Sequence, residues 1–247
     1  IAILTLVEDG PFALDDDVSD LLGWTLRNPN FPLSPITVRS LLSHTSSVRD
    51  GDQYFIAAGA GNLRDFFDPN TAHWAAGPQE RPGEHFKYAN LNFGLLAAVI
   101  EKVSQQRFDL FMTARIFAPL GLTAGFNPCD IPPALLATTY RKRNAEGRWD
   151  TTGPWRPQVD GAEVSCFYGM HTHPRGSKFL DEYVLGSNAT LFSPQGGLRA
   201  STSDLLTLLK ILANGGSVNG TRVLEASSVK ALSVSYTHLT LPTRSYV

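Results

Sequence analysis

The sequence predicts an α+β chain in which helix dominates and sheet is scarce. Apolar residues recur at helical spacing over 91–104 and again over 108–116, and Ser201-Thr202-Ser203-Asp204 opens a third apolar run through Leu212. Extended character is confined to short pieces, such as a hairpin-like pattern around Asn144-Ala145-Glu146-Gly147.

With 247 residues, of which 43% are apolar, the chain has the material for a continuous core in one or two domains. Charged residues make up 18%, below the roughly 25% of an average soluble protein, and the net charge of -2 offers no basic face for nucleic acid. These numbers favour a small-molecule partner. No apolar run approaches the roughly 18 residues of a membrane span. The longest, Leu91 to Ile100 and Leu205 to Leu212, carry polar interruptions and read as core helices. Cys129 and Cys166 lack metal-ligand spacing and read either as two buried thiols or as one disulfide in an oxidising compartment. Unpaired thiols are favoured, because a domain of this size does not need the bridge. Localisation stays open.

Taken in order, Ile1, Ile3, Leu4, Leu6 and Val7 form the last turns of an apolar helix that stops at Gly10, with Pro11 forbidding continuation. No N-cap, starting methionine, basic region or cleavage site precedes it, so the segment reads as the interior of a longer protein. Phe12 to Leu22 is expected as a short extended piece followed by an acidic turn. Ile36 to His44 reads as a short helix, with Thr37 as N-cap and Val38, Leu41 and Leu42 on one face, ended by Thr45-Ser46-Ser47. Leu91, Leu95, Leu96, Val99 and Val103 define a helix to about Ser104, and Phe108, Phe111, Met112 and Ile116 another, closed by Pro119-Leu120-Gly121.

Tyr140 to Arg143 and Arg148 to Asp150 flank the hairpin-like turn, and residues 153 to 190 read as long loops. A capped helix then runs from Ser201 to Asn214-Gly215-Gly216, and a further one lies near Ala226 to Leu232. Residues 233–247 fit no pattern set up before them. They read as a non-native tail, leaving 1–232 as the domain.

The chemistry centres on Pro82-Gly83-Glu84-His85-Phe86-Lys87-Tyr88-Ala89-Asn90, which places a tyrosine and an asparagine two apart at the mouth of a helix. Five segments in order, A-I-L-x-L-V-E-D-G at the start, I-T-V-R-S-L-L-S-H-T-S at 36–46, P-G-E-x-F-x-Y-A-N at 82–90, I-F-A-P-L-G-L at 116–122 and G-G-L-R-A-S-T-S-D-L at 196–205, resemble the serine β-lactamase and penicillin-binding-protein superfamily. The likeness is to the branch of class C β-lactamases, D-amino-acid peptidases and β-lactamase-like esterases. It implies an antiparallel sheet with an all-helical region and the site between them. This chain would hold mostly the helical region with an incomplete sheet.

By that resemblance Tyr88 and Asn90 are the catalytic residues of this chain. Together with the lysine of an S-x-x-K turn, Tyr88 would handle the proton of the nucleophilic serine, which is a poor nucleophile until a base accepts that proton. A phenol becomes a useful base only where nearby cations stabilise the phenolate. Asn90 would hydrogen-bond the lysine and a substrate amide or carbonyl. Two plainer readings stand beside these: Asn90 is well placed as the N-cap of the helix from Leu91, and Tyr88 as a half-buried aromatic. Lys87 alternates away and reads as solvent-facing.

The one S-x-x-K match, Ser227-Ser228-Val229-Lys230, follows Tyr88 and reads as a helix start rather than a nucleophile; the resemblance would place the functional turn before Ile1. No K-T-G or H-x-G triplet follows residue 205, so the strand bordering the oxyanion side is also missing. His44 invites a triad reading, which the resemblance disfavours by placing it in a structural helix. His171 and His173 share one side of an extended segment but lack further ligands, and read as a loop-surface pair. Gly196-Gly197 reads as tight backbone beside a cleft, and Asp204 as helix first-turn charge. No cofactor or metal is expected. The expected function is a serine hydrolase that forms an acyl-enzyme with an ester, amide or β-lactam, of which this chain is an inactive part. The alternative is a non-catalytic relative that binds peptide or cell-wall fragments.

Overall fold

The helix expected from Leu91 runs to Ser104 as α5, and the helices Ala2–Asp9, Val18–Leu22, Val38–Leu42 and Phe108–Met112 and the turn Ala189–Phe192 pack against it. The computed structural model of the chain describes residues 1–146, 148–158, 165–168, 171–174 and 180–234. Gly94, Ala97 and Ala98 of α5 are buried along with Leu91, Leu95, Leu96 and Val99, so the helix is enclosed on nearly all sides rather than along one stripe. Its small residues let neighbours approach closely. A Cβ at Gly94 would sit 2.6 Å from Thr190 Cγ2.

Helix α1, Ala2–Asp9, buries Ile3, Leu4 and Leu6 and ends at Gly10, whose φ of 90° only glycine adopts without strain. The acidic turn after Phe12 leads into a helix that was not expected, α2, Val18–Leu22. Asp17 explains it, because its carboxylate accepts from the Ser19 N–H at the helix mouth and pairs with Arg27. Helix α3 spans Val38–Leu42, with a capping box between Thr37 and Ser40. It stops before His44, which takes a φ of 56°, so the expectation of helix to His44 is corrected by two residues. The single turn α4, Leu63–Phe66, capped by Asn62, is too short to show a period and escaped the sequence reading.

Helix α6, Phe108–Met112, continues through a π turn, Thr113–Phe117, and a 3-10 turn, Ala118–Leu120, to Gly121, as the pattern predicts. Strand β1, Thr139–Lys142, pairs antiparallel with β2, Trp155–Gln158. The hairpin therefore exists, but its returning strand lies beyond the expected Arg148–Asp150. The turn at Asn144 closes through Asn144 N–H to the Arg148 carbonyl, followed by an Arg143–Trp149 bridge and a bond from Asp150 N–H to the Lys142 carbonyl. Asp150 then accepts from Thr152 N–H at 2.8 Å and makes a second turn before β2 begins.

Strands β3, Ser165–Tyr168, and β4, His171–Pro174, interrupt the segment read as loop. With β5, Ser217–Val218, and β6, Thr221–Arg222, the described residues hold three separate two-stranded sheets, which bears out the expected α+β class with an incomplete antiparallel sheet.

Helix α7, Thr202–Ala213, has the predicted cap, and Asp204 does more than supply charge: it closes a capping box with Ser201. The expectation of a core helix fails here. Ile211 is buried with Leu4, Val218, Leu224 and Val229, whereas Leu205, Leu206, Leu209 and Leu212 are exposed. Helix α8, Ala226–Val234, appears where expected. Cys129, on the turn Pro128–Asp130 against β3, is disulfide-bonded, which corrects the favoured reading of unpaired thiols. From residue 235 the segment read as a tail lies outside the described residues. Among the described residues no helix is long and apolar enough to cross a membrane.

Candidate active site

Tyr88 and Asn90 stand where chain 83–90 meets the N-terminus of α5. Backbone bonds from Gly83 N–H to the Thr45 carbonyl and from Lys87 N–H to the His44 carbonyl lay this segment alongside 44–50. The Tyr88 hydroxyl, on a half-exposed ring, donates to Asn90 Oδ1 at 3.1 Å. Lys87 is exposed, as expected.

Asn90 does not cap α5. Its backbone is already helical, at φ −62° and ψ −36°, and its side chain accepts nothing from the first turn. That task belongs to Asp50: one carboxylate oxygen accepts from the Leu91 N–H at 3.0 Å and the other from Asn90 Nδ2 at 2.7 Å. A carboxylate beside exposed N–H groups at a helix start is favoured by both hydrogen bonding and the helix dipole. The capping explanation for Asn90 is thereby removed.

A second network lies beneath the first. His44 Nδ1 meets the Ala89 N–H at 3.3 Å and Asn92 Nδ2 at 3.1 Å, and Asn92 Oδ1 accepts from Ser46 Oγ at 2.7 Å. Because a backbone N–H can only donate, Nδ1 must accept and the neutral ring carries its proton on Nε2. Asn92 must then present its amide nitrogen to the ring and its carbonyl to Ser46. Both Asn92 and Ala89 are fully buried. The His44 ring lies 4.5 Å from that of Tyr88, centroid to centroid, and 5.6 Å from that of Phe93. It also lines an apolar cleft of about 250 Å³ with Leu42, Phe86 and Leu232. Burial in these surroundings holds the imidazole below the usual histidine range, against the opposing charge of Asp50.

His44 thus contacts a buried asparagine and a backbone amide rather than a serine, and among the described residues no triad forms around it. Ser227 and Lys230 are both exposed on the first turns of α8. Gly197 packs tightly as expected: its N–H donates to the Ser193 carbonyl at 2.7 Å, and a Cβ there would meet that oxygen at 2.9 Å. The side chains of His171 and His173 lie outside what is described, and among the described residues no group of acidic, cysteine or histidine side chains is arranged to hold a metal. The sequence reading missed Asp50 and Asn92. Asp50 sits in an Arg-Asp-Gly-Asp turn with no periodic signal, 40 residues from its partner.

This architecture, a buried central helix with a polar pair at its mouth and a fragmentary antiparallel sheet, is that of a β-lactamase-type fold. The Beta-lactamase family model matches residues 1–244, and the chain belongs to that family, within the serine β-lactamase and penicillin-binding-protein superfamily. It is 26% identical over 242 residues to a putative D-alanyl-D-alanine carboxypeptidase of Escherichia coli (strain K12), covering 95% of this chain and 52% of that protein. It is 28% identical over 153 residues to Protein flp of Staphylococcus aureus (strain N315), covering 62% of this chain and 28% of that protein. The octameric penicillin-binding protein homologue from Pyrococcus abyssi superposes with a TM-score of 0.60 at 23% identity, over 93% of this chain and 44% of that one. The chain therefore spans about half the length, or less, of the relatives it matches.

Proposed function

We propose that this chain is part of a serine hydrolase that forms an acyl-enzyme with an ester, amide or β-lactam, and that Tyr88 and Asn90 belong to its catalytic centre. The observation that carries this reading is the Asn90 side chain: a helix-mouth asparagine relieved of capping by Asp50 and bonded instead to the hydroxyl of a half-exposed tyrosine. Structural economy alone does not call for that arrangement. The likeness to a putative carboxypeptidase agrees with acyl transfer from an amide. In this reading Tyr88 relays the proton between the nucleophile and the leaving group, and Asn90 hydrogen-bonds the substrate amide. The nucleophile would come from an S-x-x-K turn that this sequence does not contain upstream of Tyr88.

The test is hydrolysis of nitrocefin and p-nitrophenyl esters. This chain alone should give no turnover above buffer. A longer protein that carries an S-x-x-K turn ahead of this sequence should turn over, and Tyr88→Phe should lower its kcat by roughly 10²- to 10⁴-fold, the usual scale for a proton-transfer group. Turnover by this chain itself, abolished by Tyr88→Phe, would overturn the missing-nucleophile argument. An S-x-x-K-bearing protein that binds but never hydrolyses would favour a non-catalytic binder of peptide or cell-wall fragments.

A further inference from the structure

We infer that Asp50 is a positioning residue for the Tyr88–Asn90 pair: its carboxylate sets which end of the Asn90 amide faces the tyrosine hydroxyl. The inference rests on the assignment of Tyr88 and Asn90 above for its meaning, though its geometry does not depend on that assignment. An asparagine amide has a donor end and an acceptor end of nearly equal shape, and packing alone does not choose between them. Here the choice is made by chemistry. An ionised carboxylate only accepts, so the end of Asn90 lying 2.7 Å from Asp50 is the NH₂ group. The carbonyl is left pointing at Tyr88, whose hydroxyl must then donate, as the 3.1 Å contact shows.

Asp50 is itself held by a fixed donor, the Leu91 N–H at 3.0 Å. It therefore couples two jobs, closing the mouth of a fourteen-residue helix and orienting an amide at that mouth. The direction of the Tyr88 hydroxyl follows from a residue distant in sequence. Every link in the chain from Leu91 N–H through Asp50 and Asn90 to Tyr88 has one possible polarity.

Asp50→Asn separates the two jobs. Asparagine still offers an oxygen to the Leu91 N–H and caps about as well as aspartate. Its other arm becomes an NH₂ group, which confronts the Asn90 NH₂ and removes the preference. Nuclear Overhauser spectra of the 15N-labelled chain read the outcome. In the wild type, the Asn90 side-chain amide protons should lie against Asp50 and show at most a weak cross-peak to the Tyr88 ring protons ortho to the hydroxyl. In Asp50→Asn that cross-peak should strengthen several-fold, by a full flip or by averaging, while the Leu91 amide shift and the unfolding midpoint stay near their wild-type values. Amide protons already against Tyr88 in the wild type, or an Asn90 amide unmoved in Asp50→Asn, would overturn the inference. The wild-type arm holds even if the variant fails to fold. No turnover enters the measurement, so failure of the hydrolase reading and failure of this inference are told apart.

Discussion

Asp50 and Asn90, 40 residues apart in the chain, are joined by a 2.7 Å hydrogen bond, and the same carboxylate takes the Leu91 N–H. A helix end that the local sequence would cap with its own asparagine is capped from a distant turn, and the asparagine side chain bonds Tyr88 and Asp50 instead. Asp50→Ala should therefore lower stability by about 1–2 kcal/mol, the usual cost of losing a cap, while Asp50→Asn should stay within about 0.5 kcal/mol of wild type. Urea unfolding followed by far-ultraviolet circular dichroism checks both; equal losses would show that the carboxylate's charge, not its capping oxygen, stabilises the helix.

Gly94 and Thr190 form a second tight relationship. A Cβ at 94 would lie 2.6 Å from Thr190 Cγ2, and Thr190 cannot readily yield, because its hydroxyl donates to Asn188 Oδ1 at 2.6 Å and accepts from Ile56 N–H at 2.9 Å. Gly94→Ala should cost about 1–3 kcal/mol by overpacking. Thr190→Ser keeps the hydroxyl and removes the clashing methyl, so adding it should recover part of that loss. A double-mutant cycle with no coupling energy would place the strain elsewhere.

Glu101 is a fully buried carboxyl that accepts from Phe108 N–H at 2.9 Å, Gly186 N–H at 2.7 Å and the Tyr183 hydroxyl at 2.7 Å, so it ties α5 to the start of α6 and to the loop that holds Tyr183 and Gly186. Burial pushes its pKa above the usual glutamate value despite these donors. A raised folded-state pKa adds stability that is complete below the unfolded value and is lost as pH rises through the folded one. Relative to Glu101→Gln, which does not titrate, the wild type should lose stability from about pH 4 upward. Unfolding midpoints of both proteins against pH give the difference; a flat difference would contradict it.

His44 has the opposite sign. Its pKa is depressed by burial, so its contribution is present above the ordinary imidazole value of about 6.5 and lost as pH falls through the lower folded value. Protonation of Nδ1 would turn an acceptor of the Ala89 and Asn92 donors into a third donor. Between about pH 7 and pH 5 the wild type should lose more stability than His44→Gln. Parallel pH profiles for the two proteins would exclude His44 as the group responsible.

The exposed leucines of α7 predict association rather than instability. Leu206 and Leu209 are 53% and 61% exposed, so Leu206→Gln and Leu209→Gln should each change stability by less than about 0.5 kcal/mol. The pair should reduce the self-association that such an apolar face and the open sheet edges favour. Light scattering at rising protein concentration is the check; a wild type that stays monomeric would remove the premise.

Much of the helical frame was legible because local rules and the final packing agree. Thr37 and Ser201 cap the helices they were expected to cap, Gly10 ends the first helix, and the period from Leu91 runs true to Ser104. The failures have physical causes. Helix α2 was hidden because its cap, Asp17, sits in a run of three aspartates that reads as a turn. The leucines of α7 repeat like a core face, yet periodicity shows only that one side is apolar, not that anything covers it. Strand β2 was misplaced because a second turn at Asp150 lies between the hairpin tip and the returning strand.

Local spacing and capping carried the longer helices, the α+β balance and the family likeness, and set Tyr88 and Asn90 as neighbours at a helix mouth, while the short helices α2 and α4 escaped them. Those are properties of residues close in the chain, where spacing and capping chemistry act within a few bonds' reach. Which groups Asn90 bonds there is set by the fold. Its role turns on Asp50, brought from 40 residues away to take the Leu91 N–H, and on the rule that a carboxylate can only accept. Sequence spacing carries no record of which distant acceptor will claim a donor; folding brings the two together, and the fixed polarity of each group then leaves a single arrangement.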